Sequence, residues 1–188
     1  MTLDSRTALF LMLGQTAERS IAKLDDVIPS ETLLLSPSYD LAPLLPDSVR
    51  RATLAAEGYR LFFVFENFLR SFVLDVLSKD ATRSWWELVP TDVQTDVEKL
   101  EQTEEVKSWM ALGSRDKSSL MTFPQLLRVI DHAWKDGFSD VVRDKALIQE
   151  ARLIVHLRNT ICHMSDIPEE EIDRIRQTMR DWFRVVAP

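Results

Sequence analysis

Arg158, Asn159 and His163, held in the late segment RNTICH, are the residues whose types and spacing offer the most chemistry. Histidine suits proton transfer because its unperturbed pKa of about 6.5 lies close to neutral pH. Arginine keeps its charge and can hold two oxygens of one phosphate. Asn159 stands one helical turn before His163, where its amide can orient the imidazole or contact a sugar hydroxyl. The set suits metal-free work at a phosphodiester: one group moves protons, one neutralises charge on phosphorus, one positions.

The helix that must carry them is expected from 144 to 165 and takes in nearly all of KALIQEARLIVHLRNTICHMSD, Lys145 to Asp166. Ile154, Leu157, Ile161 and Met164 recur at three- and four-residue steps and mark one core-facing side. Ile148, Ala151, Val155 and Cys162 form a second apolar line. The pattern predicts one long helix buried on two sides, with His156, Asn159 and His163 in a narrow polar seam about 150° from the first stripe. Arg158 and His163 then point about 140° apart. They meet at one phosphate if the helix distorts near its stop at Pro168, if the arginine reaches around, or if a dimer supplies one from each chain.

A second long helix is expected from a cap at Asp47 or Ser48 to about Ser78. Leu54, Leu61, Phe65, Phe68, Phe72 and Val76 line one face of it, and Phe62, Leu69 and Val73 widen that face. Glu66 lies in this apolar setting, so its carboxylate must be paired or protonate. Arg70, four residues on, is an ordinary helical partner for it. Glu66 can also reach Arg158 or His163 across a helix pair.

Arg158, four intervening residues and His163, with Asn159 directly after the arginine, resemble the signature of the HEPN superfamily. FENFLRSF and LMTFPQLLRVIDHAWKDGF are similar to the branch of that superfamily associated with bacterial defence and RNA processing. The resemblance covers roughly residues 50 to 187. It implies a metal-independent RNA endonuclease that works by 2′-hydroxyl attack, commonly as a homodimer with paired motifs in a shared cleft, and that acts as a toxin or defence effector. By the same resemblance, Arg158 binds phosphate, His163 does acid-base or transition-state work, Asn159 positions, and Glu66 orients the pair with Arg70 in support. An antitoxin or another protein partner is implied too. The alternative is a noncatalytic HEPN module that binds RNA or nucleotides, or serves dimerisation as an accessory subunit. Ser165 stands where the toxin subgroup has an aromatic residue, so a mechanism in which a partner modifies that aromatic residue does not apply.

The remaining elements follow from periodicity and breakers. Residues 5 to 27 read as an amphipathic helix with Leu9, Met12, Leu13, Ala17, Ile21 and Leu24 on one packing side. Pro29, Pro37, Pro43 and Pro46 make the next stretch an irregular strap, and its leucines imply apolar contact. Trp85-Trp86 read as a packed connector; base stacking is the rarer use of such a pair. Thr91 starts a helix with Val93, Val97 and Leu100 inward and an acidic outer side. Thr122 and Pro124 open a helix through Trp134, with His132 on its outer part. The last helix sets Ile172, Ile175, Met179, Trp182 and Val186 inward, and Arg176, Arg180 and Arg184 along another side. Those arginines are a solvated face or an RNA-binding track continuing from Arg158.

At 188 residues, 45% hydrophobic and with five Trp, the chain can bury one sizeable core. Four Gly and the abundance of Leu, Ala, Glu, Lys and Arg favour helices. The expectation is an all-α, single-domain antiparallel bundle of five to seven helices, with residues 1–49 packed on a HEPN-like domain at 50–188 and the two long helices at its centre. The net charge of −7 argues against nucleic-acid binding through overall field but leaves room for a local basic groove. One cysteine gives neither an intramolecular disulfide nor a cysteine zinc site, and three dispersed histidines give no metal site. No cofactor, no membrane span and a cytoplasmic location are expected.

Overall fold

The computed structural model describes residues 5–25, 33–106 and 116–186, and within them the fold is all-α apart from a two-stranded ribbon. Two compact units make up the chain, Met1–Ala56 and Glu57–Pro188. The boundary falls inside a long helix.

In the first unit, α1 spans Ser5–Asp25 and a short antiparallel ribbon pairs β1 (Leu34–Ser36) with β2 (Tyr39–Asp40). The Asp40 carboxylate accepts from the backbone N–H groups of Leu33 and Ala42 at 2.9 and 3.0 Å, which closes the ribbon. Leu9, Met12 and Leu13 of α1 and Leu33, Leu34, Leu35, Leu44 and Leu45 of the strap, all expected against apolar surface, stand exposed. The side chains of Ile21 and Leu24 lie outside the described residues. Helix α2 starts at Pro46, where a missing N–H costs nothing in the first turn, and runs to Leu77.

In the second unit α2 is joined by α3 (Thr91–Val106), α4 (Phe123–His132), the five-residue α5 (Phe138–Val142), α6 (Ala146–Leu153), α7 (Val155–Cys162) and α8 (Glu169–Val186). Phe65, Leu69, Val73 and Leu77 of α2 are buried among Phe123, Leu126, Ile130, Phe138, Ile148, Ile154, Ile175 and Trp182. Fully burying one such side chain stabilises by about 1.5–3 kcal/mol. Phe65 packs on both Phe123 and Trp182, with ring centroids 5.3 and 6.0 Å away. The indole N–H of Trp182 donates to the Leu147 carbonyl at 3.1 Å and ties α8 to α6.

Neighbouring contacts fix the directions of the helices around the site. Gly58 faces Ile161, and eight residues later Glu66 faces Arg158, so α7 runs antiparallel to α2. Gly58 also faces Ile172, while Phe65 meets Trp182, so α8 runs parallel to α2. At Gly58 a Cβ would stand 2.7 Å from Ile161 Cδ1 and 3.1 Å from Ile172 Cδ1, which is why a glycine suits this crossing.

The late helix departs from expectation. It is not continuous from 144 to 165: α6 ends at Leu153, Ile154 adopts φ −90° and ψ 0°, and α7 begins at Val155. Ile148, Ala151, Ile154 and Leu157 are spaced by three, and an unbroken helix would put the first and last about 180° apart. The tight turn at Ile154 resets the register, so these four and Ile161 all face one core. The two expected burial stripes become one, and Cys162 and Met164 stand exposed. Two further differences are local: Leu100 is exposed, and Trp134 lies in a separate short turn after α4.

Candidate functional site

Helix α2 presents Tyr59, Phe63, Glu66, Asn67 and Arg70 at steps of three and four, within an arc of about 100° that faces α7. With Phe62, Ser119, Arg158, Ile161 and Cys162 they line a cleft of about 330 Å³. Glu66 is its centre. One carboxylate oxygen accepts from Arg70 Nη2 at 3.1 Å, and the other lies 3.6 Å from Arg158 Nε. The side chains are 18% (Glu66), 15% (Arg70) and 25% (Arg158) exposed, so the cluster is screened much less than a surface pair. The local and the cross-helix pairings anticipated for Glu66 both form.

The two arginines differ in what they have left to give. Arg70 also donates through Nε to the Ser118 carbonyl at 2.7 Å, through Nη1 to Asn67 Oδ1 at 2.6 Å and through Nη2 to the Met121 carbonyl at 3.1 Å. It fastens the loop before α4 onto α2, and a ligand finds little of it free. Arg158 meets Glu66 through Nε alone, and its two terminal nitrogens have no partner among the described residues. A planar fork anchored at one edge and open at the other suits an anion with two oxygens.

His163 is the C-cap of α7. Ser165 N–H donates to the Thr160 carbonyl at 3.1 Å and Met164 N–H to the Ile161 carbonyl at 3.0 Å, with Met164 left-handed at φ 58°. This Schellman closure ends the helix directly after the histidine. His163 and Asn159 are exposed, and neither lines the cleft of Arg158. The helix ends in an ordinary cap at His163, and the chain does not bring the imidazole into the arginine's cleft.

The C-terminal arginines are mostly committed. Arg176 pairs with Glu57 and Asp173, which raise its pKa, Glu57 the more strongly. Arg184 lies 3.5 Å from Asp181, and Arg180 donates to Gln177 at 2.7 Å. None of the three lines the Arg158 cleft. Trp85 and Trp86 are half-buried against the core, and Lys117 sits 4.6 Å above the Trp86 ring, so packing is their use. A larger cleft of about 900 Å³ includes Asp92, Arg128, Asp131, His132 and Arg152. There Arg128 is held by Asp92 and Arg152 by Asp131, both at 2.7 Å, leaving less uncommitted charge than at Arg158. No cluster of three His, Cys, Asp or Glu that could hold a metal occurs among the described residues.

A family profile described as Swt1-like HEPN matches residues 60–187. The chain belongs to the Swt1-like HEPN family. No curated protein and no solved structure matches it. The HEPN match takes in Glu66, Arg70, Arg158, Asn159 and His163, and leaves the first 59 residues outside. Among the described residues of this HEPN protein, no helix is long and apolar enough to cross a membrane. Tyr59 and Phe63, whose exposed rings complete the HEPN domain's cleft, were missed in the sequence. Their signal was their register with Glu66 and Arg70, off the apolar stripe.

Proposed function

We propose that this HEPN domain is a metal-independent RNA endonuclease, and the observation that carries the proposal is the open guanidinium of Arg158, anchored by Glu66 at the edge of a cleft. A phosphate held there has its charge offset by an arginine whose position Glu66 fixes, and Arg70 in turn fixes Glu66. A ribose 2′-hydroxyl loses its proton to a base, O2′ forms the new bond to phosphorus, and the 5′-oxygen leaves with a proton. The products are a 2′,3′-cyclic phosphate and a free 5′-hydroxyl. His163 is assigned the proton transfer and Asn159 its positioning.

The separation of His163 from the Arg158 cleft favours a two-chain site, in which the arginine cleft of one protomer meets the histidine of its partner in a homodimer. Arg180 and Arg184 are left as secondary phosphate contacts. A toxin or defence role, with a protein partner that restrains it, extends the same reading.

That same separation also favours the second reading, a noncatalytic HEPN module that binds RNA or a second subunit. Cleavage of a mixed RNA panel in EDTA by wild type, Arg158→Ala and His163→Ala decides between them. Cleavage by wild type that both folded variants lack is expected. Silence of the wild type on every RNA, with the protein folded and dimeric, would leave the binding module as the function.

A further inference from the structure

Two aromatic rings stand in water at the arginine cleft. Tyr59 is 58% exposed and Phe63 57% exposed, while Phe62 and Phe65 on the same helix are buried. The two rings lie 6.1 Å apart at 32°, one turn apart on α2, and both line the cleft that holds Glu66 and Arg158.

From these positions we infer that Tyr59 and Phe63 form a stacking platform for an unpaired RNA base, next to a phosphate held by Arg158. The inference rests on the nuclease or RNA-binding reading of the cleft and names its substrate class. Along α2 Phe63 lies about 4.5 Å and Tyr59 about 10.5 Å before Glu66, whose carboxylate meets Arg158, so the Phe63 ring is the one nearer the guanidinium in the cleft they share. A base offers its π face to an aromatic ring whatever its identity, and its own phosphate offers two oxygens to the arginine. This pairing of apolar faces with an open cation decides the occupant. An apolar protein surface would satisfy the rings but desolvate the terminal nitrogens of Arg158 without a partner. A-form duplex hides its base faces in the stack, so the platform selects single strands, loops and bulges.

The test uses the full chain and a short 2′-fluoro oligoribonucleotide, which lacks the attacking hydroxyl and so separates binding from cleavage. One version carries 2-aminopurine and another an abasic residue at the same place. Wild type should bind the first with quenched fluorescence. Tyr59→Ala and Phe63→Ala should each weaken binding about tenfold and relieve the quench, and Phe63→Trp should restore both. On the abasic strand Phe63→Ala should cost little, because the contact it removes is already gone. Sedimentation of each variant reports the competing occupant, a second copy of the chain.

Unchanged affinity for Phe63→Ala, an equal loss on both strands, or loss of a dimer with no change in quench would overturn the platform. Failure of wild type to bind any single strand would overturn it too. Bound and quenched RNA that the wild type never cuts in its natural 2′-hydroxyl form would remove the nuclease reading and keep the platform. Normal cleavage by Phe63→Ala would do the reverse.

Discussion

Glu66 Oε2 stands 3.6 Å from Arg158 Nε, a contact between helices 92 positions apart in the chain that leaves the outer edge of the guanidinium open. The carboxylate meets one edge of the arginine and leaves the other uncommitted. Glu66→Gln keeps a hydrogen-bond acceptor and removes the charge, so RNA cleavage should fall about tenfold or more with only a small loss of stability. Glu66→Ala leaves two partly buried guanidiniums without their acid and should cost about 2 kcal/mol in urea unfolding, a value reduced for partial exposure. Wild-type cleavage by folded Glu66→Ala would sink the positioning role.

Arg70 has a different use, and its variants should separate structure from chemistry. Its fork reaches Glu66, Asn67 and the carbonyls of Ser118 and Met121 at once. A lysine has one nitrogen and cannot span them. Arg70→Lys should lower stability by about 2 kcal/mol, and because Arg70 acts on RNA only through Glu66, the affinity of the remaining folded protein should fall less than it does in Arg158→Ala. An unfolding midpoint equal to that of wild type would show that these bonds contribute nothing.

If one protomer supplies Arg158 and the other His163, two dead proteins should rescue each other. Mixed and re-equilibrated Arg158→Ala and His163→Ala chains form heterodimers in half of the population, each with one complete site. Activity should return to about a quarter of wild type. A site built within one chain predicts no recovery at all.

Met164 follows the capping histidine in a left-handed conformation that only glycine adopts freely, and its side chain is 91% exposed. Met164→Gly should therefore raise stability by about 1 kcal/mol, read as a higher melting temperature. A loss of stability would mean that the exposed methionine contributes contacts this geometry does not reveal.

Asp131 joins α4 to both ends of α6, through Lys145 before its start and Arg152 in its last turn. Hydrogen bonds from Lys145 and then from Arg152 hold its carboxyl below the usual carboxylate range. A carboxyl lowered in the folded state contributes stability above its unfolded pKa and loses it as pH falls through the folded one. Wild type should melt above Asp131→Asn between pH 5 and 8, with the gap closing below about pH 4. A gap that stays constant as pH falls below 4 would assign the effect to packing instead of charge.

Much of the fold was legible because its helices obey simple periodicity. The starts of α2, α3 and α4 at Pro46, Thr91 and Phe123 lie at or within two residues of their proline and cap signals. The cross-helix reach of Glu66 was legible as well, since a carboxylate among phenylalanines has few alternatives. The break at Ile154 was not, because no glycine or proline marks it. Its cause is a run of three-residue steps whose conflict with a 3.6-residue turn shows only once all four positions must share one core. Tyr59 and Phe63 escaped for the opposite reason: aromatic residues on an apolar helix read as core, and their register with Glu66 and Arg70 is a weaker signal than the solvent exposure that sets them apart.

The turn at Ile154 has a kinetic consequence. It leaves the arginine on a helix of eight residues, two turns, well below the length at which a helix holds in water by itself. Its fixed points are Ile154, Leu157 and Ile161 in the core, and the turn at Ile154 sets it apart from α6. The segment that carries Arg158 should thus order late in folding and open early in hydrogen exchange. A nascent or partly unfolded chain would then lack the ordered Arg158 cleft, which forms only when folding is complete.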